Sequence, residues 1–70
     1  MIAFEYIFAP DDRNGEPPEA PRIVRATNVD DAVQILFLRD LRIRGVPGTV
    51  RVRRHQTHDR WLVRRFLPPQ

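Results

Sequence analysis

Between Thr49 and Phe66 the chain reads TVRVRRHQTHDRWLVRRF, in which apolar residues alternate with arginine. A period of two belongs to a β-strand, because successive side chains point to opposite faces of a sheet. The stretch holds Arg51, Arg53, Arg54, Arg60, Arg64 and Arg65, and Arg44 lies in the turn before it. A hairpin is expected, and its charge restricts the fold. One face must build a core while the other accommodates clustered guanidinium groups.

Segregation of apolar from charged side chains suggests the register. Pairing Arg54 with Asp59 around a four-residue loop, His55 to His58, sets Val52 opposite Trp61 and Val50 opposite Val63. Val50, Val52, Trp61 and Val63 would then face inward, and Arg51, Arg53, Arg60, Leu62, Arg64 and Phe66 outward. A slip of one residue would bring Trp61 and Val63 to the side of Arg51 and Arg53, since a one-residue shift exchanges the faces. In the expected register Arg53 faces Arg60, and like charges directly opposite cost on the order of a few tenths to 1 kcal/mol. An anion lying across the face would remove that cost.

The rest of the chain supplies the partners of the hairpin. Residues 2–8, IAFEYIF, alternate with Ile2, Phe4, Tyr6 and Phe8 on one face, and Glu5 on the other can meet an arginine of a neighbouring strand. Residues 9–21 contain Pro10, Pro17, Pro18, Pro21 and the turn dipeptide Asn14-Gly15, which exclude a helix or a central strand. This is an acidic, proline-rich loop. Residues 22–26, RIVRA, form a short second strand. Thr27 or Asn28 then caps a helix over roughly Val29 to Ile43, with Asp30 and Asp31 in its first turn and Arg39, Arg42 and Arg44 towards its end, the signs the helix dipole favours. Gly45, Pro47 and Gly48 stop it.

Val29, Ala32, Val33, Leu36 and Phe37 form the stripe that should cover the sheet. Ile35, Leu38 and Leu41 fall to the side or behind, where they would contact a second copy or a partner. The element order is β-β-α-β-β. It predicts an α+β fold: a four-stranded antiparallel sheet with one helix packed across one face, in a single domain over residues 1–70. Residues 68–70 are expected to be a frayed tail.

Composition narrows the functional classes. With no Cys there is no disulfide, thiolate metal site or Cys nucleophile, and with no Lys or Ser the usual nucleophile–base pairs are missing. His55 and His58 lie beside Asp59 at a hairpin tip and are expected to be exposed loop residues, without the further ligand or shaped cavity that a zinc site needs. No enzyme, metal or cofactor is therefore expected. No apolar run approaches the ~20 residues of a membrane span. Met1 leads into a strand pattern without a basic n-region, so a cytoplasmic protein is expected. The net charge is +3, but residues 1–40 carry −4 and residues 41–70 carry +7. Every basic residue is arginine, whose planar fork binds carboxylate or phosphate bidentately.

The opening apolar-aromatic strand, the helix start Ala26-Thr27-Asn28-Val29-Asp30-Asp31-Ala32, Gly48-Thr49-Val50 and Trp61-Leu62 together resemble the small phage-encoded inhibitors of CRISPR–Cas, in particular a type I anti-CRISPR whose sheet cradles one helix. The resemblance covers roughly residues 22–66 and the first strand. It implies binding to a type I CRISPR–Cas surveillance (Cascade) complex in a bacterial host cytoplasm, in competition with target DNA for the backbone subunits. The relative makes that contact with basic side chains on its helix. The matching positions here are Val33, Gln34, Leu38 and Asp40, so those roles do not carry over. The candidate contact residues are instead Arg51, Arg53, Arg60 and Arg64 on the hairpin with Arg39, Arg42 and Arg44 on the helix. Direct DNA or RNA binding through the arginine face, and a non-catalytic dimeric interaction module built on Ile35, Leu38 and Leu41, are the alternatives. The expected oligomeric state is a monomer or weak homodimer.

Overall fold

The computed structural model describes residues 1–13 and 15–69. Asn14 of the expected turn and Gln70 of the expected tail lie outside the described residues. The strands are β1 (Ile2–Pro10), β2 (Arg22–Ala26), β3 (Gly48–Arg54) and β4 (Leu62–Phe66). Between β2 and β3 the chain winds through α1 (Val29–Ile35), a π-helical stretch (Leu36–Asp40) and α2 (Leu41–Arg44), which together make one helix of 16 residues. The strands form one antiparallel sheet in the order β2-β1-β3-β4, with the helix across one face. The fold is the α+β class that the alternation and the single amphipathic segment implied. Among the described residues, no helix is long and apolar enough to cross a membrane.

The aromatic alternation of β1 puts it in the middle of the sheet. Phe4, Tyr6 and Phe8 are all buried, beside Val24 and Ala26 of β2 and Val50 and Val52 of β3. The helix lays Ala32, Leu36 and Leu41 on this floor, with Val29, Val33 and Phe37 packed at its margins. Asn28 is the N-cap: its Oδ1 accepts the Asp31 N–H at 2.8 Å. Asp31 Oδ2 in turn accepts the Thr27 N–H at 3.0 Å and the Thr27 hydroxyl at 3.1 Å. This is the reciprocal logic of a capping box, with Asn28 as the cap and Asp31 three residues on. Gly45 ends the helix with φ of 67°, a left-handed conformation that glycine adopts without a Cβ clash.

The π-helical stretch changes what the helix buries. The Leu41 N–H donates to Leu36 O, five residues back. In an uninterrupted α-helix Asp40 would follow Leu36 into the core. The extra residue brings Leu41 there instead, at 1% exposure. The expected back-surface trio therefore does not exist as a unit: Leu41 is core, and Ile35 packs half-buried against the core. Only Leu38, 63% exposed, keeps the position assigned from an even 3.6-residue period. Leu41→Ala should cost about 2–5 kcal/mol in urea unfolding, as large-to-small core changes do. Leu38→Ala should stay within about 0.5 kcal/mol. Equal effects would contradict the π-shifted packing.

The hairpin register is also corrected. Val52 faces Leu62, Arg51 faces Val63, Val50 faces Arg64 and Gly48 faces Phe66. This is the one-residue slip that segregation of charge disfavoured. Leu62 and Phe66 turn towards the helix, while Trp61 and Val63 join Arg51 and Arg53 on the open face. Two local features account for it. Phe66 is 2% exposed, with its ring edge-on to Phe8 and Phe37 at centroid distances of 6.3 and 5.3 Å. It faces Gly48, where a Cβ would sit 2.6 Å from the Phe8 ring, so the glycine leaves room for that ring. Arg53 lies over the Trp61 indole, its guanidinium carbon 4.1 Å from the ring centroid, which covers that aromatic surface outside the core. The Arg54–Asp59 pair forms all the same, with Arg54 Nε 2.7 Å from Asp59 Oδ2. The connection between the strands is longer than four residues, spanning 55–61, and turns through Gln56 at φ of 59°.

Candidate functional site

The helix covers one side of the sheet and leaves the other open. The open face carries Ile23 and Arg25 from β2, Glu5 and Ile7 from β1, Arg51 and Arg53 from β3, and Val63 and Arg65 from β4, with Trp61 at its margin. Across it, Ile23, Glu5 and Arg53 lie in one row and Ile7, Arg51 and Val63 in the next. Ile23 and Val63 are 47% and 50% exposed. The surface is mixed, with aliphatic groups between guanidinium groups.

The expected arginine cluster is distributed over three places. Arg51 and Arg53 share the open face. Arg64 points to the helix side, opposite Val50, and Arg60 lies in the loop before β4 on that same side, near Leu62. Arg39, Arg42 and Arg44 lie on the helix, as their sequence positions required. Arg25 also lies on the open face, outside the second half of the chain where the charge concentrates. The alternation in RIVRA was the available signal for its placement on the open face.

Internal carboxylates answer several of these charges. Arg44 forms a bidentate pair with Glu19, both contacts at 2.6 Å, and lies over the Phe8 ring. Arg65 pairs bidentately with Asp11 at 2.7 and 2.8 Å. Both carboxylates come from the loop between β1 and β2, so the acidic segment docks back on the domain at two points. Asp11 N–H also donates to Pro47 O at 3.1 Å. The guanidinium hydrogen bonds hold the Asp11, Glu19 and Asp59 carboxyls below their usual range. Arg39 is bonded to Asp40 at 2.8 Å. Arg53 Nε lies 3.5 Å from Glu5 Oε2, a charge contact too long for a well-formed hydrogen bond, and that nitrogen is buried without a hydrogen-bond partner. The placement of Glu5 against an arginine agrees with the alternation of β1. Among the described residues, Arg25, Arg42, Arg51, Arg60 and Arg64 make no ion pair.

Tyr6 and Asp40 meet beneath the helix. The Tyr6 hydroxyl donates to Asp40 Oδ2 at 3.0 Å, and burial, followed by this carboxylate, raises the phenol above its ordinary pKa. The tyrosine is thus kept as a neutral donor, which suits a structural anchor for the π-helical turn. His55 Nδ1 lies 3.6 Å from Glu5 Oε1. Among the described residues, no group of three or more His, Cys, Asp or Glu side chains converges in a way that could hold a metal.

Comparison with protein-family models, curated proteins and solved structures finds no match to this chain.

Proposed function

We propose that the protein is a small non-catalytic inhibitor that binds a nucleoprotein assembly through the open face of its sheet and blocks target DNA binding. A type I CRISPR–Cas surveillance complex in the bacterial cytoplasm is the target class to which the sequence resemblance points. The observation that carries the reading is the face itself. Among the described residues, Arg25 and Arg51 have no carboxylate partner, and they stand beside exposed aliphatic groups, Ile23 and Val63. Unpaired guanidinium groups attract an anionic partner, and arginine is a favoured interface residue. The aliphatic groups need a surface that can cover them. A protein–nucleic acid assembly offers both.

The experiment is comigration on a sizing column with a purified type I surveillance complex, and separately with free duplex DNA. The wild-type protein should comigrate with the complex. Arg25→Glu with Arg51→Glu should abolish that comigration while circular dichroism shows an unchanged fold, because neither side chain is in the core. A folded double variant that still binds, or a wild-type protein that never binds, defeats the proposal. Binding to free DNA alone would favour the second reading, supported by the same two unpaired arginines. Its affinity would fall with salt at a log–log slope of about −0.9 per phosphate contacted.

A further inference from the structure

We infer that the groove between α1 and β4, on the helix side of the sheet, is a second docking site, for an acidic peptide segment of a partner protein carrying one large apolar side chain. The helix meets β4 through Phe37 and Phe66 but leaves a gap at the other end of the strand. There Val29, Phe4, Val52 and Leu62 enclose a pocket of about 330 Å³, with Arg60 at its mouth. Arg64 stands two residues beyond Leu62 on the same face and is exposed. The result is an apolar floor with a basic outer lip.

The charge distribution selects the occupant. Arg60 and Arg64 have no carboxylate partner among the described residues, and the one carboxylate at the mouth, Asp59, is held by Arg54 at 2.7 Å. An acidic segment therefore meets two unanswered positive charges and no free negative one. The floor is aliphatic and aromatic, so it accommodates a Phe or Leu side chain rather than a sugar or phosphate. A buried apolar anchor with charges at the rim is the usual anatomy of a peptide site. A second copy of this chain is a poor occupant, because β4 and its flanks present arginines that repel their own kind. The inference does not rest on the open-face reading, since it concerns the opposite side of the sheet.

The probe is a fluorescein-labelled pentapeptide, Glu-Asp-Phe-Glu-Asp, titrated at low salt by fluorescence polarisation and followed by amide chemical shifts. The expected shifts centre on Val29 and Leu62. Affinity should fall about tenfold or more in Arg60→Glu with Arg64→Glu, and with Val29→Trp, which fills the pocket. Arg25→Glu with Arg51→Glu should bind the peptide as the wild type does. If Val29→Trp fails to fold, the two exposed arginine changes still decide the matter. The inference is overturned if the wild type does not bind the peptide, or if replacing its Phe by Ser leaves affinity unchanged. It is also overturned if the shifts map elsewhere, or if a single-stranded oligonucleotide shifts these residues and the peptide does not.

Discussion

Phe66→Ala is expected to destabilise the domain by about 3–5 kcal/mol, the range for removing a large buried aromatic. The ring is 2% exposed and packs edge-on against Phe8 and Phe37, closing the core where the helix meets β4. A domain this small has roughly 4–10 kcal/mol of stability in all, so the variant should lose a large fraction of it. Its thermal midpoint should fall by about 15–30 °C, given the usual sensitivity of small domains. Val63→Ala, at a half-exposed position on the open face, should shift the midpoint by only a few degrees. The pair of variants tests the register directly. In the register suggested by charge segregation Val63 would be core and Phe66 would be exposed, and the ranking would reverse. Thermal unfolding followed by circular dichroism separates the two.

Gly48→Ala should cost about 3 kcal/mol, at the upper end of overpacking effects. An added Cβ would lie 2.5 Å from Ala9 O and 2.6 Å from the edge of the Phe8 ring. The carbonyl belongs to the paired backbone of β1, where Ala9 neighbours the Pro10–Gly48 register position, and cannot move without opening the β1–β3 ladder. The ring cannot withdraw without losing its contact with Phe66. Urea unfolding should show a lowered midpoint with an unchanged slope, since the loss is in native-state packing rather than in the area exposed. A Gly48→Ala variant as stable as wild type would mean that β1 and β3 do not approach there as described.

Phe66 and Gly48 also show why charge segregation points to the wrong register. Charge segregation treats every arginine as needing water and every Trp or Val as needing the core. Arg53 instead lies flat on Trp61, which lets a large aromatic remain on the open face with its surface covered. Arg64 can face the helix side because β4 is an edge strand and its side chain reaches solvent there. The deciding contact, a glycine facing a phenylalanine beneath a second phenylalanine ring, joins residues 8, 48 and 66. No period within the hairpin contains that information.

The candidate site was legible to a similar degree. Arg51 and Arg53 share one face in either register, because β3 alternates cleanly. Arg60 and Arg64 were assigned to that surface through the register, and they move with it to the helix side. The role of the acidic loop was not legible at all. Proline and Asn-Gly mark a loop, but the pairings Glu19–Arg44 and Asp11–Arg65 span 25 and 54 residues. They divide the arginines into those already answered and those left for a partner.

Local chemistry determined the elements: the alternation of β1 and β3, the Asn28 cap, the glycine stop at Gly45 and the stripe from Val29 to Phe37 all follow from neighbours within a few residues. The β-β-α-β-β order then left little choice but a sheet with one covered face. Tertiary structure decided which side chains face which way wherever two solutions were close in local energy. It turned β4 by one residue, because Phe66 then packs edge-on against Phe8 and Phe37 in the core. It rotated the end of the helix by one residue, because Leu41 fills the core and Asp40 finds the Tyr6 hydroxyl. A one-residue slip changes little in local propensity but moves several kcal/mol of burial, so only long-range packing could choose.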